Sequence, residues 1–260
     1  MPEQCEARQY IYCVIDMREN SLLTPFAVAG DGGAEAALVR HADIAAVVAR
    51  RVGEEDACEI TRDNVVGHVR VIEQVMREHT ALPVRFGTVA QSADAIREQV
   101  LARRYEELRE LMERMADKDE MGVKVFWRDH DAILQEVAEA SPQIRHMRSS
   151  LAARTAQATY YQKIELGRLV QSALDARRDR EGEEIARRLA QAAEDFRLQP
   201  ARGERIVLDS AYLVDRRRMQ EFDQAVSDLA QRNEQRLKVK YVGPVAPFNF
   251  VNLSIQWDEP

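Results

Sequence analysis

The chain has 260 residues, of which 45% are hydrophobic and 31% are charged, and its 37 Lys and Arg against 44 Asp and Glu give a formal net charge of -7. This composition is typical of a folded globular protein and excludes a generally disordered one. The acidic balance argues against a nucleic-acid backbone as the main partner, because phosphate binding requires a basic surface. The length suits one large or two modest domains.

The N-terminus and the cysteines predict that the protein is cytoplasmic. Residues 1–8 contain no basic segment followed by an apolar one, and the chain has no uninterrupted apolar stretch of about 20 residues. Cys5, Cys13 and Cys58 lack a CxxC spacing and are odd in number, so they indicate reduced thiols and no disulfide framework.

The first elements predicted are strands. Tyr10-Ile-Tyr-Cys-Val-Ile15 is a continuous apolar run that predicts a strand buried on both faces. Residues 38–40 and 44–49 flank His41-Ala-Asp43, which predicts a hairpin. Gly30-Asp-Gly-Gly33 marks a turn, and it lacks the features of a phosphate-binding loop, namely the Lys-Ser/Thr pair and the full GxGxxG pattern.

An amphipathic helix is predicted from the N-cap residue Thr61 to about His79, because apolar residues recur there at helical spacing. It leads into Leu82-Pro-Val-Arg-Phe-Gly-Thr-Val89, a strand-like segment that breaks at Gly87, where glycine turns the backbone without a steric cost. A second helix is predicted from about Ser92 to 115. Its apolar stripe fits packing against the core or a short coiled-coil surface for a partner.

The charged stretch Asp117-Lys-Asp-Glu-Met-Gly122 predicts a domain boundary, and alternation over 123–128 predicts the strand that opens the second half. From Ser141-Pro142 a long helical tract is predicted, with an interruption around Arg180-Glu-Gly182 and a second part that reaches Phe196. The remaining predicted elements are a break at 198–203, a strand over 206–214, a helix over 219–229 and a strand over 237–241.

The C-terminal segment is the second strand-like run that breaks at a glycine. Gly243 precedes Pro244, and a residue before proline is pushed out of the helical region. After Pro247, apolar residues at 251, 253, 255 and 257 alternate with polar ones. Such an apolar face must be buried, either as an edge strand, against the first domain, or by strand addition to a partner.

Strands that alternate with helices on one face of a small, mainly antiparallel sheet indicate an α+β fold, and both halves fit a ferredoxin-like variant. We predict an N-terminal α+β domain at 1–119 and a C-terminal α+β domain with the long helical tract at 120–246. An extended tail at 247–260 is expected to dock on the N-terminal domain.

The chain resembles the gas vesicle protein F/L family in five stretches, which follow the family order over nearly the whole sequence. The most specific are the Leu-Pro-Val-Arg-Phe-Gly and Gly-Pro-x-x-Pro-Phe-x-Phe-Val pieces. The five stretches are the strand over 10–15, Leu38-Val-Arg-His-Ala-Asp-Ile-Ala-Ala-Val-Val48, Leu82-Pro-Val-Arg-Phe-Gly-Thr-Val89, Val123-Lys-Val-Phe-Trp127 and Val242-Gly-Pro-Val-Ala-Pro-Phe-Asn-Phe-Val251.

The resemblance implies a non-enzymatic role in gas vesicle organization, and hence in buoyancy, without catalytic residues, metal or cofactor. It implies a minor component or assembly factor at the gas vesicle in the cytoplasm. The expected partners are the principal gas vesicle shell protein, GvpA, which is small, apolar and prone to self-association, and other accessory proteins, with no nucleic acid and no membrane. The partner-binding candidates are Arg85, Phe86, Gly87, Thr88, Pro247, Phe248 and Phe250.

The alternative function is a small-molecule-binding or enzymatic tandem ferredoxin-like protein, which predicts a deep pocket with converging polar groups. His68 and His79 lie eleven residues apart, about 16 Å along a helix, which is too far for one metal site, so both are interpreted as partly buried or helix-terminal. Asp129-His-Asp131 fits a helix start, with ligands or a general base as the alternative. Cys13 is expected to pack in the core. Arg85 is expected in a buried strand, either paired with a carboxylate or serving as an anchor for a partner.

Overall fold

The structure, a computed structural model, describes residues 8–17, 36–50, 59–152, 160–255 and 257. Its contacts divide the chain into two compact units, residues 1–120 with 244–260 and residues 121–243. Each unit combines a β-sheet with helices, which confirms the predicted α+β class. The ferredoxin-like arrangement of each unit stays a prediction, and the glycine-rich turn predicted at 30–33 lies outside the described residues.

The sheet of the first unit is built around β1 (Gln9–Asp16), which is buried from its second residue onward. β1 pairs antiparallel with β3 (Ile44–Arg50) and also with two short strands, β4 (Ala81–Pro83) and β5 (Val89–Ala90). β2 (Ala36–His41) pairs with β3 and completes the order β2-β3-β1-β4. The continuous apolar sequence of β1 fits this position, because a central strand is covered by structure on both faces.

The predicted hairpin is formed by β2 and β3, which are joined by Ala42 and Asp43. Ala42 has a φ of 49°, as the tight connection requires. The helix α1 (Arg62–Val75) begins where the sequence predicts, because the Thr61 side chain accepts a hydrogen bond from the Asn64 N–H at 3.2 Å. α1 ends before His79, the predicted end of the helix.

The second predicted helix of this unit consists of several pieces. α2 (Ala93–Ala95) follows the cap residue Ser92 and continues as a π-helical segment (Ile96–Ala102), after which α3 (Tyr105–Met115) begins. The Arg103 N–H donates to Glu98 O at 3.2 Å, a bond that spans five residues and marks the change of helical register. The regular spacing of apolar residues in the sequence does not signal this change.

The second unit contains most of β6 (Lys118–Trp127) and the elements that follow it. Its sheet has the order β7-β8-β6-β9, and β7 pairs antiparallel with β8. Buried side chains of the helices and the sheet form one core, in which Trp127, Tyr212 and Phe222 are among the largest fully buried residues. The further elements are α4 (His130–Ala140), α5 (Pro142–Ala152), α6 (Tyr160–Ala190), β7 (Asp195–Leu198), β8 (Ile206–Asp215), α7 (Met219–Arg232) and β9 (Leu237–Val245), with a 3-10 turn (Arg216–Arg218) between β8 and α7.

The interruption predicted around Gly182 is wrong, because α6 runs through this position without a break. Gly182 is buried against β8, and a Cβ atom placed on it would lie 2.6 Å from the Val207 carbonyl oxygen. The glycine therefore permits a close approach between the helix and a strand. Glycine in a helix interior has this use as well as its more familiar helix-breaking effect.

One other boundary differs from the predictions. Phe196 lies in β7 and not on a helix, and its ring stacks on Tyr212 of the paired strand with 6.1 Å between centroids. The charged stretch at 117–122 contains the division between the two compact units, which falls after Glu120, and β6 runs through it from Lys118. Asp119 and Glu120 are buried there, and hydrogen bonds described below satisfy Glu120 inside the protein.

Candidate functional site

The predicted break at Gly87 is a loop that interrupts one edge of the first sheet. Val84 N–H donates to Tyr12 O and Ile11 N–H donates to Thr88 O, both at 3.0 Å, so the chain pairs with β1 on either side of the loop. The Thr88 N–H and hydroxyl both donate to Arg85 O, at 3.3 and 2.7 Å, and close a four-residue turn. Gly87 is the third residue of that turn and has a φ of 84°, a conformation that favours glycine.

His68 of α1 supports this loop through hydrogen bonds. His68 Nε2 lies 3.0 Å from Val84 O, which accepts only, so Nε2 carries the proton and Nδ1 is an acceptor. The Tyr10 hydroxyl therefore donates to His68 Nδ1 at 2.9 Å, and it accepts from the Gly87 N–H at 3.2 Å. One relay of hydrogen bonds thus joins α1, β1 and both sides of the loop.

Aromatic rings surround the same histidine. The centroids of Tyr12, Phe86 and Phe248 lie 5.5, 5.6 and 6.4 Å from that of His68. His68 itself is only 3% exposed. Burial lowers the pKa of His68 to about 4, and the hydrogen bond to Val84 O acts against this change. His68 is therefore neutral at pH 7, in agreement with the tautomer that the hydrogen bonds require.

The C-terminal residues reach this cluster through a tight turn. Phe250 N–H and Val251 N–H both donate to Pro247 O, at 3.1 and 2.9 Å. The turn places Phe250 in the interior and leaves Phe248 39% exposed. The predicted strand after Pro247 is therefore wrong for the described residues, which form a turn at 248–250 and then a single bridge at Leu253, although the apolar Val251 and Leu253 are buried as the alternation predicts.

A buried carboxylate fixes the same turn. Asn249 donates to Glu120 through its backbone N–H at 2.9 Å and through its side-chain amide at 2.5 Å. Glu120 is 3% exposed, and burial raises the pKa of its carboxyl while the bonds from Asn249 act against that rise. The hydrogen bonds from Asn249 stabilise the charge of Glu120, a residue of the predicted domain boundary.

The seven partner-binding candidates divide into exposed and buried residues. Arg85 is exposed in the loop, so its predicted burial is wrong, and the reason is that β4 ends at Pro83 before the loop begins. Phe86 and Phe248 meet at His68. The others are Gly87 and Thr88, which are half-buried in the loop, and Pro247 and Phe250, which are buried in the turn.

Sequence reasoning missed two residues that organise the site, His68 and Glu120. His68 was expected to be only partly buried or helix-terminal, and Glu120 to mark a boundary. The bonds that reveal them span 58 residues for His68 to Tyr10 and 129 residues for Glu120 to Asn249. This cluster has no local pattern in the sequence, because its members Tyr10, His68 and Phe86 are far apart in the chain.

Other residues considered for chemistry have structural contacts. Asp129 caps α4, because its carboxylate accepts from the Ala132 N–H at 3.0 Å. Cys13 is buried in β1, and burial raises its pKa well above the usual range. His79 Nδ1 lies 3.2 Å from Asp16 O. Among the described residues, no group of three or more His, Cys, Asp or Glu could hold a metal ion.

A cavity of about 230 Å³ in the second unit is the feature closest to the alternative function. It lies beside α6 and β8, where Gly182, Val207 and Leu208 form part of its wall. Two of its charged side chains are already paired, Arg178 with Asp175 at 3.0 Å and Asp209 with Lys124 at 2.7 Å. These pairs leave fewer polar groups to converge on a small molecule.

The comparisons with known proteins decide the family. The family model for "Gas vesicle synthesis protein GvpL/GvpF" matches residues 8–252. The chain belongs to this family. Membership places it among proteins of gas vesicle formation and confirms the resemblance in the sequence. No helix in the described ranges is long and apolar enough to cross a membrane.

Relatives named for both members of the family are similar over most of the chain. Gas vesicle protein F of Dolichospermum flosaquae is 27% identical over 74% of this chain and 78% of that protein. In Streptomyces sp. strain CB03234, gas vesicle protein F is 29% identical over 93% of this chain and 98% of its own length. Gas vesicle protein L of the same organism is 29% identical over 95% of this chain and 93% of its own length. Identity therefore does not separate the F type from the L type.

The fold is that of a solved relative. The crystal structure of GvpF from Anabaena sp. PCC7120 superimposes with a TM-score of 0.83, covering 96% of this chain and all of that one, at 22% identity. The GvpF crystal structure from Microcystis aeruginosa gives a TM-score of 0.77 at 21% identity. At these identities the likeness concerns the fold alone.

Proposed function

We propose that this GvpL/GvpF family protein is a non-enzymatic minor component or assembly factor, which binds the principal gas vesicle shell protein GvpA. The binding surface is the aromatic loop surface, defined as Arg85, Phe86, Thr88 and Phe248. The observation that supports it is the meeting of two distant segments, both part of the family resemblance, at His68. The same proposal places the protein at the gas vesicle in the cytoplasm.

The chemistry of this surface suits an apolar protein partner. Phe248 is 39% exposed and Phe86 is half-buried, both with their rings near His68, and Arg85, the residue before Phe86, is exposed. Aromatic residues and arginine are enriched in the central, strongly contributing part of protein interfaces. The relay from His68 to Gly87 holds the loop in one conformation, which reduces the entropy lost on binding.

The non-enzymatic part of the proposal rests on how potentially reactive groups are used. Both ring nitrogens of His68 are engaged in hydrogen bonds, and Cys13 has a raised pKa within a buried strand. A nucleophilic cysteine requires the opposite, a lowered pKa in an electropositive and accessible setting. Asp129 is used as a helix cap.

The test is a binding titration with purified shell subunit under assembly conditions, in parallel with complementation in a vesicle-forming host. We expect Phe248→Ala to weaken binding at least tenfold, because truncation of a hot-spot aromatic costs about 2 kcal/mol or more. Tyr161→Ala is the control, since Tyr161 is an aromatic residue that is 84% exposed in the second unit. The proposal of direct binding is wrong if wild-type protein and subunit do not associate, and the surface is wrong if Phe248→Ala and Tyr161→Ala behave alike.

A further inference from the structure

The C-terminal strap, defined as residues 246–255, meets the first sheet just after the end of β4. Its contact with the sheet is an isolated parallel bridge between Val84 and Leu253. Val251 and Leu253 are buried, whereas Asn252 and Ser254 are exposed, so alternate side chains enter the first unit. The strap therefore begins with the turn at 247–251, and its residues 251–255 lie at the sheet edge without a regular ladder of hydrogen bonds.

Hydrogen bonds from two arginines reach the main chain of the strap. Arg114 of α3 donates to Phe250 O at 2.7 Å, and Arg104, just before α3, donates to Ser254 O at 3.0 Å. These bonds do not depend on which side chains the strap carries. Side-chain selectivity comes from Asn249, whose amide donates to the buried Glu120 at 2.5 Å, and from the burial of Val251 and Leu253.

We propose that these groups form a peptide-binding groove, and that the strap is its exchangeable internal ligand. The groove consists of Val84 after the end of β4, Arg104, Arg114 and Glu120. Its ligand class is an extended segment with an asparagine at the Glu120 contact followed by alternating apolar residues. Binding of a strand through main-chain hydrogen bonds, with alternate side chains in pockets, is the mode of β-strand addition.

The partner that fits the groove is the strap of a second copy of the chain. A segment attached to its own groove binds at a high effective concentration, which normally excludes a free competitor. Because a second copy offers identical contacts, weakening the attached strap makes the groove accept the same segment in trans. This inference does not depend on the proposed binding of the shell protein.

The experiment uses the full chain and a fluorescent peptide with residues 245–257. We expect the variant Asn249→Ala, Phe250→Ala to bind the peptide at least tenfold more tightly than wild type, because its own strap competes less. When Arg104→Ala and Arg114→Ala are added to that variant, we expect it to bind the peptide no more tightly than wild type. The control peptide carries Asn249→Ala and Leu253→Asp and is expected not to bind.

Hydrogen exchange of the unmodified protein tests the same proposal without any substitution. We expect the strap amides to exchange at least tenfold faster than those of β1, in a separate opening of the native state. Circular dichroism in the near-ultraviolet checks that each variant remains folded. The proposal is overturned if the strap exchanges together with β1, or if the folded variant binds the peptide no better than wild type or binds both peptides alike.

Discussion

Replacement of Gly182 by alanine tests the packing of α6 on β8. The new Cβ would lie 2.6 Å from Val207 O; the backbone fixes the Cβ position and Val207 O is a backbone atom, so neither can move without shifting a helix or a strand. Overpacking in a well-packed interior costs about 1–3 kcal/mol, and a backbone clash is expected near the upper end. Alanine also favours the helix by about 1 kcal/mol relative to glycine. We therefore expect Gly182→Ala to lower the free energy of unfolding by about 2 kcal/mol.

The same helix provides a matched control. Gly167 is exposed, and a Cβ placed on it meets no atom within 4 Å, so Gly167→Ala is expected to raise stability by up to about 1 kcal/mol through helix propensity alone. Urea denaturation measures both variants, with equal m-values required for comparison. If both substitutions change the midpoint in the same direction, the close approach of α6 to β8 does not explain the glycine at 182.

Three further predictions concern the first unit. Because His68 has a pKa of about 4 in the native protein and about 6.5 when unfolded, its contribution is full above pH 6.5 and decreases as the pH falls towards 4. The free energy of unfolding contributed by His68 falls by about 3 kcal/mol over this range. Denaturation midpoints measured at pH 7 and pH 4.5 should therefore differ less for His68→Gln than for the wild type. Asn249→Ala is expected to cost about 1–3 kcal/mol because the buried Glu120 loses a donor, whereas Asn252→Ala, at an exposed position of the same segment, should change the denaturation midpoint little. Arg85→Ala should alter stability by less than about 0.5 kcal/mol in the same assay, since Arg85 is exposed, and a larger loss would contradict a role confined to partner binding.

The elements that the sequence predicts well are those specified by local interactions. α1 begins at its predicted cap because a threonine hydroxyl satisfies a helix N–H three residues away. β1 follows from its apolar run, and the hairpin from the polar turn between two apolar runs. In each case the energy that decides the structure comes from residues close together in the chain.

The elements that were predicted wrongly depend on packing between distant residues. Gly182 suggests a helix break by its intrinsic propensity, but tertiary packing overrides a propensity difference of about 1 kcal/mol. Phe196 continues a helical spacing by coincidence, while its contact with Tyr212 stabilises a strand. The buried Glu120 requires the Asn249 donors, which the sequence separates from it by 129 residues.

For the candidate site, the sequence predicts the loop but not its support. Gly87 signals a turn, and the turn exists with the positive φ that glycine allows. The orientation of the loop, however, is set by Tyr10 and His68, and the exposure of Arg85 follows from the early end of β4. A strand pattern alone cannot distinguish a continuous edge from one that opens into a loop between two paired segments.

The glycine-broken segments differ in how their polar groups are satisfied, and this difference bears on function. The neutral His68 holds Val84 directly, and the Tyr10 hydroxyl bonded to His68 holds Gly87, so the conformation of the loop is preorganised. The strap after Gly243 is held by arginine contacts to two carbonyl groups, by one buried carboxylate and by a single bridge. Rigid support suits a surface that must present exposed groups in a fixed geometry, whereas a segment held mainly through its backbone can be exchanged for another of similar pattern. Phe248 belongs to the second segment but packs on the histidine that supports the first, so release of the strap would also remove one aromatic ring from the aromatic loop surface.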